Sequence, residues 1–125
     1  MTRSQQNTQE IALISCIVQS KINQDGPTRD EKFQSFTLLR KLDQQPLPFD
    51  LQHKVKQRRD TNISIFQNER QMLETFISKL HLIDPDLLVS HNLCGSVIEV
   101  LLARISYLRI NHWSRLGRLK RAQMP

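Results

Sequence analysis

Residues 89–102 read VSHNLCGSVIEVLL, and the groups that could do chemistry crowd around their centre: His91, Asn92, Cys94, Ser96 and Glu99. A turn of this kind, leading from a short apolar segment into a helical stripe, is where α/β folds gather ligand sites. Hydrolysis of a phosphodiester there would need hard oxygen donors to hold divalent ions. The turn offers only Glu99, and the Ser96-x-x-Glu99 spacing reads first as a capping box: the serine accepts from the first helical turn and the glutamate reaches back. His91 and Cys94 form a His-x-x-Cys pair, but no second pair completes a zinc set, and His53, His81 and His112 are scattered. Neither Cys16 nor Cys94 has an identifiable base or positively charged niche to make it a nucleophile. Gly26, Gly95 and Gly117 make no phosphate cradle. The turn has the setting of a reaction site without its reactive groups.

The elements that position this turn follow from periodicity. Residues 10–19, EIALISCIVQ, are a short β-branched apolar run, which predicts a strand buried on both faces. Asp25-Gly26-Pro27 signals a turn, and residues 33–41, FQSFTLLRK, predict a second, less buried strand that completes a hairpin. Residues 42–60 carry Pro46, Pro48 and the cations Lys54, Lys56, Arg58 and Arg59, and are expected to form a long connection. NISIF at 62–66 predicts a third strand. Met72, Leu73, Phe76, Ile77 and Leu80 then recur at helical spacing behind Asn68 as N-cap. Asp84-Pro85-Asp86 ends that helix, and 87–90 predict a fourth short strand. Ile98, Leu101, Leu102, Ile105 and Leu108 form a last helical stripe, expected to stop near Asn111.

With 125 residues there is room for one domain or part of a larger one, and 38% apolar content is lean for a self-sufficient core. Two cysteines make no disulfide framework. No apolar run reaches bilayer length, and MTRSQQNTQE lacks a signal-peptide core, so a soluble intracellular protein without membrane contact is expected. The net charge of +6 is unevenly placed: all 12 acids lie at or before Glu99. Beyond it come Arg104, Arg109, Arg115, Arg118, Lys120 and Arg121 with no acid among them. Such a block attracts phosphate, and a nucleic acid is the natural partner; a merely solubilising tail is the other reading. Trp113, set among these cations, could stack on a base or anchor a helix end in the core.

The strings IDPDLLVSHNLCGSVIEVLLARI and HWSRLGRLKR, with IVQSKINQDGPT and FQSF upstream in the same order, resemble the exonuclease-like domain of B-family DNA polymerases. HWSRLGRLKR is the most particular of them and is similar to the alpha branch of that family. The likeness runs over residues 9–125 and is weakest between 42 and 68. It implies an α/β, ribonuclease H-like 3′-5′ exonuclease fold: a partial mixed sheet with flanking helices and the first strand missing. The domain is then expected over 10–112, with a loose start at 1–9 and a basic segment at 113–125 continuing into the parent domain.

Proofreading members of the family carry Asn, three residues, Phe and Asp in this turn. Asn92 matches the asparagine that touches the DNA end, Ser96 stands at the wedge phenylalanine, and Val97 stands at the metal-binding aspartate. A valine supplies no oxygen donor. No Asp-x-Glu of the first exonuclease motif occurs in the chain, and the polymerase motifs would lie beyond Pro125. The resemblance therefore implies a proofreading-inactive segment of a DNA-directed DNA polymerase, with no metal or other cofactor of its own and magnesium serving the parent enzyme. It implies Asn92 as the residue at the DNA end, and DNA, an RNA-primed template, a primase and a regulatory subunit as partners in the nucleus; the basic terminal block itself makes Arg115, Arg118, Lys120 and Arg121 the expected phosphate contacts. An active 3′-5′ exonuclease and a stand-alone basic nucleic-acid-binding module are the competing readings.

Overall fold

A computed structural model describes residues 9–22, 25–26, 33–42, 46–58 and 62–118. Three strands form one sheet in the order β1 (Leu13–Gln19), β2 (Phe33–Arg40), β3 (Ile63–Phe66). The first two pair antiparallel, from Leu13 opposite Leu39 to Gln19 opposite Phe33, which is the expected hairpin. β2 and β3 run parallel, Thr37 opposite Ile63 through Arg40 opposite Phe66. The architecture is thus mixed α/β, with a three-stranded mixed sheet and helices.

Burial within the sheet differs from the sequence expectation. β1 is an edge strand buried on one face only: Ile14, Cys16 and Val18 pack on the core while Ile17 remains 73% exposed. β2, expected to be the less buried strand, is the central one, and Phe36, Leu38 and Arg40 are buried. The cause is the two-residue side-chain period. Ser35 and Thr37 alternate with Phe36 and Leu38 and fall on the opposite face, so the count of apolar residues in a strand is a poor guide to its depth.

The connection holds one short helix, α1 (Leu51–Gln57), which buries no residue and carries an exposed Asp50–Lys54 ion pair. The chain then enters α2 (Glu69–Ile83) as expected: the Asn68 side chain accepts a hydrogen bond from the Gln71 amide at 2.9 Å, satisfying one orphan donor of the first turn. Met72, Leu73, Phe76, Ile77 and Leu80 are all buried on one stripe, each contributing about 1.5–3 kcal/mol of apolar burial. Asp84 caps the helix in the left-handed conformation, φ 48°, its amide donating to Leu80 O.

Residues 87–90 do not form the fourth strand. They have no strand partner among the described residues, and Leu87 and Val89 are exposed. Without a neighbour to take its backbone bonds, an apolar extended segment is not a strand. The capping box at Ser96 is likewise absent. A π-helical turn, Leu93–Val97, already precedes α3 (Ile98–Tyr107), so Ser96 lies inside the helical path, and its hydroxyl hydrogen-bonds Asn92 O at 3.4 Å. α3 also stops short of Asn111. Arg109 turns left-handed at φ 53°, its amide donates to Ser106 O and the Ile110 amide donates to Ile105 O. This is a Schellman closure, and it folds Ile110 back into the core at 3% exposure.

Candidate nucleic-acid interface

The turn at 91–97 is shaped by a close approach. Asn92 is left-handed at φ 51°, and a Cβ built on Gly95 would lie 2.3 Å from Asn92 Oδ1. The asparagine side chain therefore lies over Gly95 in space that an alanine would need. π-turns of this type interrupt regular helices and recur at functional sites. Ser96 and Val97 are both exposed on the turn, and the Val97 side chain carries no oxygen that could ligate a metal. No group of three or more His, Cys, Asp or Glu among the described residues could hold a metal ion. The donor set among the described residues does not fit a two-metal hydrolytic centre.

The cysteines differ in environment. Burial pushes the Cys16 thiol up from its ordinary value, which disfavours the thiolate, whereas Cys94 is exposed on the π-turn. Trp113 packs against the core together with Leu116 in a 3-10 turn (Trp113–Leu116) that contacts α2. Its ring is an anchor for the segment that follows α3.

The basic block is not uniform. Arg104 is buried, and its guanidinium donates from Nε and Nη2 to the two Glu69 carboxylate oxygens at 2.9 and 2.7 Å. The hydrogen bond to Glu69 holds the guanidinium more firmly protonated than usual, against the opposing pull of burial. Glu69 Oε1 also accepts the Ile11 amide at 3.0 Å. On the other side of that residue, Arg40 Nε donates to Ile11 O at 2.7 Å and Arg40 Nη2 pairs with Glu10 at 2.6 Å. Arg104 and Arg40 are therefore internal fasteners that hold the chain entering β1 against α2 and α3. Neither their depth nor the pairing of Glu69 with Arg104, 35 positions away, is encoded in local spacing.

Arg118 is exposed, yet its Nε and Nη2 are both engaged. Nε donates to Asp84 Oδ1 at 2.8 Å, and Nη2 donates to Asp86 Oδ1 at 2.7 Å and to Asp84 O at 3.0 Å. The bonds to Asp84 and then Asp86 raise its basicity further. Arg109 and Arg115 are exposed and have no ionic partner among the described residues. A helix running to Asn111 would enclose Arg109, but its left-handed turn at φ 53° lies past the end of α3. Lys120 and Arg121 lie outside the described residues. Among the described residues, Asn92 lies on the π-turn and Arg115 and Arg118 in and just after the 3-10 turn, and no hydrogen bond or ion pair joins Asn92 to Arg118.

The DNA polymerase family B exonuclease domain matches residues 1–125. A DNA polymerase alpha catalytic subunit from Oxytricha trifallax is 60% identical over 124 residues, covering 99% of the chain and 8% of that protein. The subunits of the same name from Xenopus laevis and Mus musculus are 39% and 33% identical over 117 and 126 residues, covering 93% and 100% of the chain. The chain spans about 8% of the length of these curated relatives.

Proposed function

Because the chain belongs to the DNA polymerase family B exonuclease domain family, we propose that it serves a replicative polymerase of the alpha type as a non-hydrolytic, DNA-contacting scaffold. Val97 carries the reading. The turn keeps Asn92 and its glycine-seated geometry, but the position from which the family's aspartate binds metal bears an aliphatic side chain. Nucleotidyl transfer, with its magnesium, belongs in this reading to other parts of the polymerase. DNA with an RNA-primed template, a primase, a regulatory subunit and a nuclear setting follow from the same proposal.

Within the scaffold, Asn92 meets the DNA end, while Arg115, Lys120 and Arg121 contact phosphates without reading sequence. Arg118, also expected at phosphate, shares its charge with two aspartates. The deciding experiment incubates the intact polymerase with magnesium and a primer mismatched at its 3′ end. No excision is expected; metal-dependent trimming that is lost on Asn92→Ala overturns the reading. Joint charge reversal of Arg115, Arg118, Lys120 and Arg121 is expected to weaken DNA binding equally across sequences and to flatten its salt dependence.

A further inference from the structure

The last residue of α3 is an exposed aromatic that the fold holds in place. Tyr107 is 70% exposed, and the Arg104 guanidinium lies over its ring, 4.7 Å from the centroid. We propose that Tyr107 is a stacking platform for an unpaired base of a single-stranded nucleic acid, with Arg109 taking a phosphate beside it. The inference rests on the scaffold reading and deepens it, since it names the form of nucleic acid that this end of α3 receives.

The ring is seated from below. Arg104 is itself fixed, because Nε and Nη2 donate to both carboxylate oxygens of buried Glu69. Carboxylate, guanidinium and phenol ring form layers that begin in the core and end at the surface. With Arg104 against one face, the exposed area belongs to the other face and the edge of the ring. A ring already fixed costs little further ordering when a base settles on it, and every base has a π-face to offer. Phe33 and Phe49 are also exposed, but among the described residues no cation lies over either ring. Charge selects the partner. The acid beneath the ring is neutralised by Arg104, and Arg109 and Arg115 have no ionic partner among the described residues. Free carbonyls at the end of α3 would oppose a phosphate. Here the Arg104, Ile105 and Ser106 carbonyls accept from the amides of Leu108, Ile110 and Arg109. Arg109, two residues past Tyr107, is exposed and left-handed at φ 53°. An aromatic face beside such a cation suits a strand whose bases are free to stack, whereas the bases of a duplex already stack on one another.

The intact polymerase is titrated with two probes: a primed template carrying a long oligo-dT overhang, and a blunt duplex of the same paired sequence. Tyr107→Ala should weaken binding of the overhang probe by about tenfold and leave the blunt duplex unchanged. Tyr107→Phe should bind as the native protein does, because stacking needs the ring and not the hydroxyl. Arg109→Gln should make log affinity against log salt shallower by about 0.7 on the overhang probe. An overhang of abasic residues should erase the difference between Tyr107→Ala and the native protein. Thermal melting of each variant checks that the fold is retained. Native affinity of Tyr107→Ala for the overhang overturns the platform and leaves the ring to a protein surface. Tyr107→Leu that binds like the native protein overturns it too, since apolar area alone would then suffice. Arg115→Gln separates this inference from the reading beneath it. If it flattens the salt slope while Tyr107→Ala binds normally, the phosphate contacts stand and the platform alone falls. If neither variant changes binding, both fall.

Discussion

Arg104 and Arg118 each offer a planar fork to carboxylates, at nearly the same distances, and the two do different jobs. The Arg104–Glu69 pair is bidentate and buried, with side chains 7% and 6% exposed. The Arg118 cluster lies in water, with Asp86 92% exposed. Burial removes hydration from both partners of the first pair, so each depends on the other; the partners of the second retain water as an alternative. The first fastens the fold. The second is a surface cluster that salt and competing anions can loosen.

The comparison can be broken most sharply at Glu69. Glu69→Ala leaves a buried guanidinium unpaired and also strands the Ile11 amide, and a loss of about 3–5 kcal/mol is expected in denaturant unfolding. Replacing both members, Glu69→Leu with Arg104→Met, should cost less than either single change, because no charge is left unpaired. Equal costs for the single and double variants would mean that the pair is not the unit of stability. Asn68→Ala removes the cap bond to Gln71 and should cost about 1 kcal/mol, since water can reach the freed amide. Gly95→Ala is a gentler test. The atom in the way is the end of the Asn92 side chain, which can rotate aside, so stability should barely change. Binding of a DNA end should fall as far as in Asn92→Ala, and the double variant should be no worse than either. At the smallest scale, a thiol-alkylating reagent should modify exposed Cys94 well before Cys16, whose thiol burial keeps protonated.

Salt sharpens the same contrast without mutation. Raising ionic strength from about 0.1 M to 1 M shortens the screening length from about 10 Å to about 3 Å. The buried Arg104 pair should hold its contribution to unfolding across that range, while any effect of Asp84→Asn with Asp86→Asn should fade. A buried pair that faded equally would show that depth is not what separates them.

The regular parts of the fold were legible because local chemistry dictates them. The α2 stripe and its Asn68 cap follow from residues within a few positions of one another, and the β1–β2 hairpin joins two strands that are neighbours in sequence. The depth of β2 and the absence of a strand at 87–90 depend on what lies alongside the chain, which spacing does not encode; the early end of α3 is a local Schellman closure that no glycine or asparagine at Arg109 announces. The same division runs through the candidate site: Val97 could be found from its position in a motif, but the six cations after Glu99 look alike in sequence.

Sequence alone determined which groups are available: an aliphatic residue at the turn, an asparagine with a glycine three residues on, and a terminal block with no acid of its own. Tertiary structure decided which charges remain at the surface for a partner. It spent Arg104 on Glu69 and Arg118 on Asp84 and Asp86, partners 35 and 32–34 positions away along the chain, because charge is neutralised by neighbours in space.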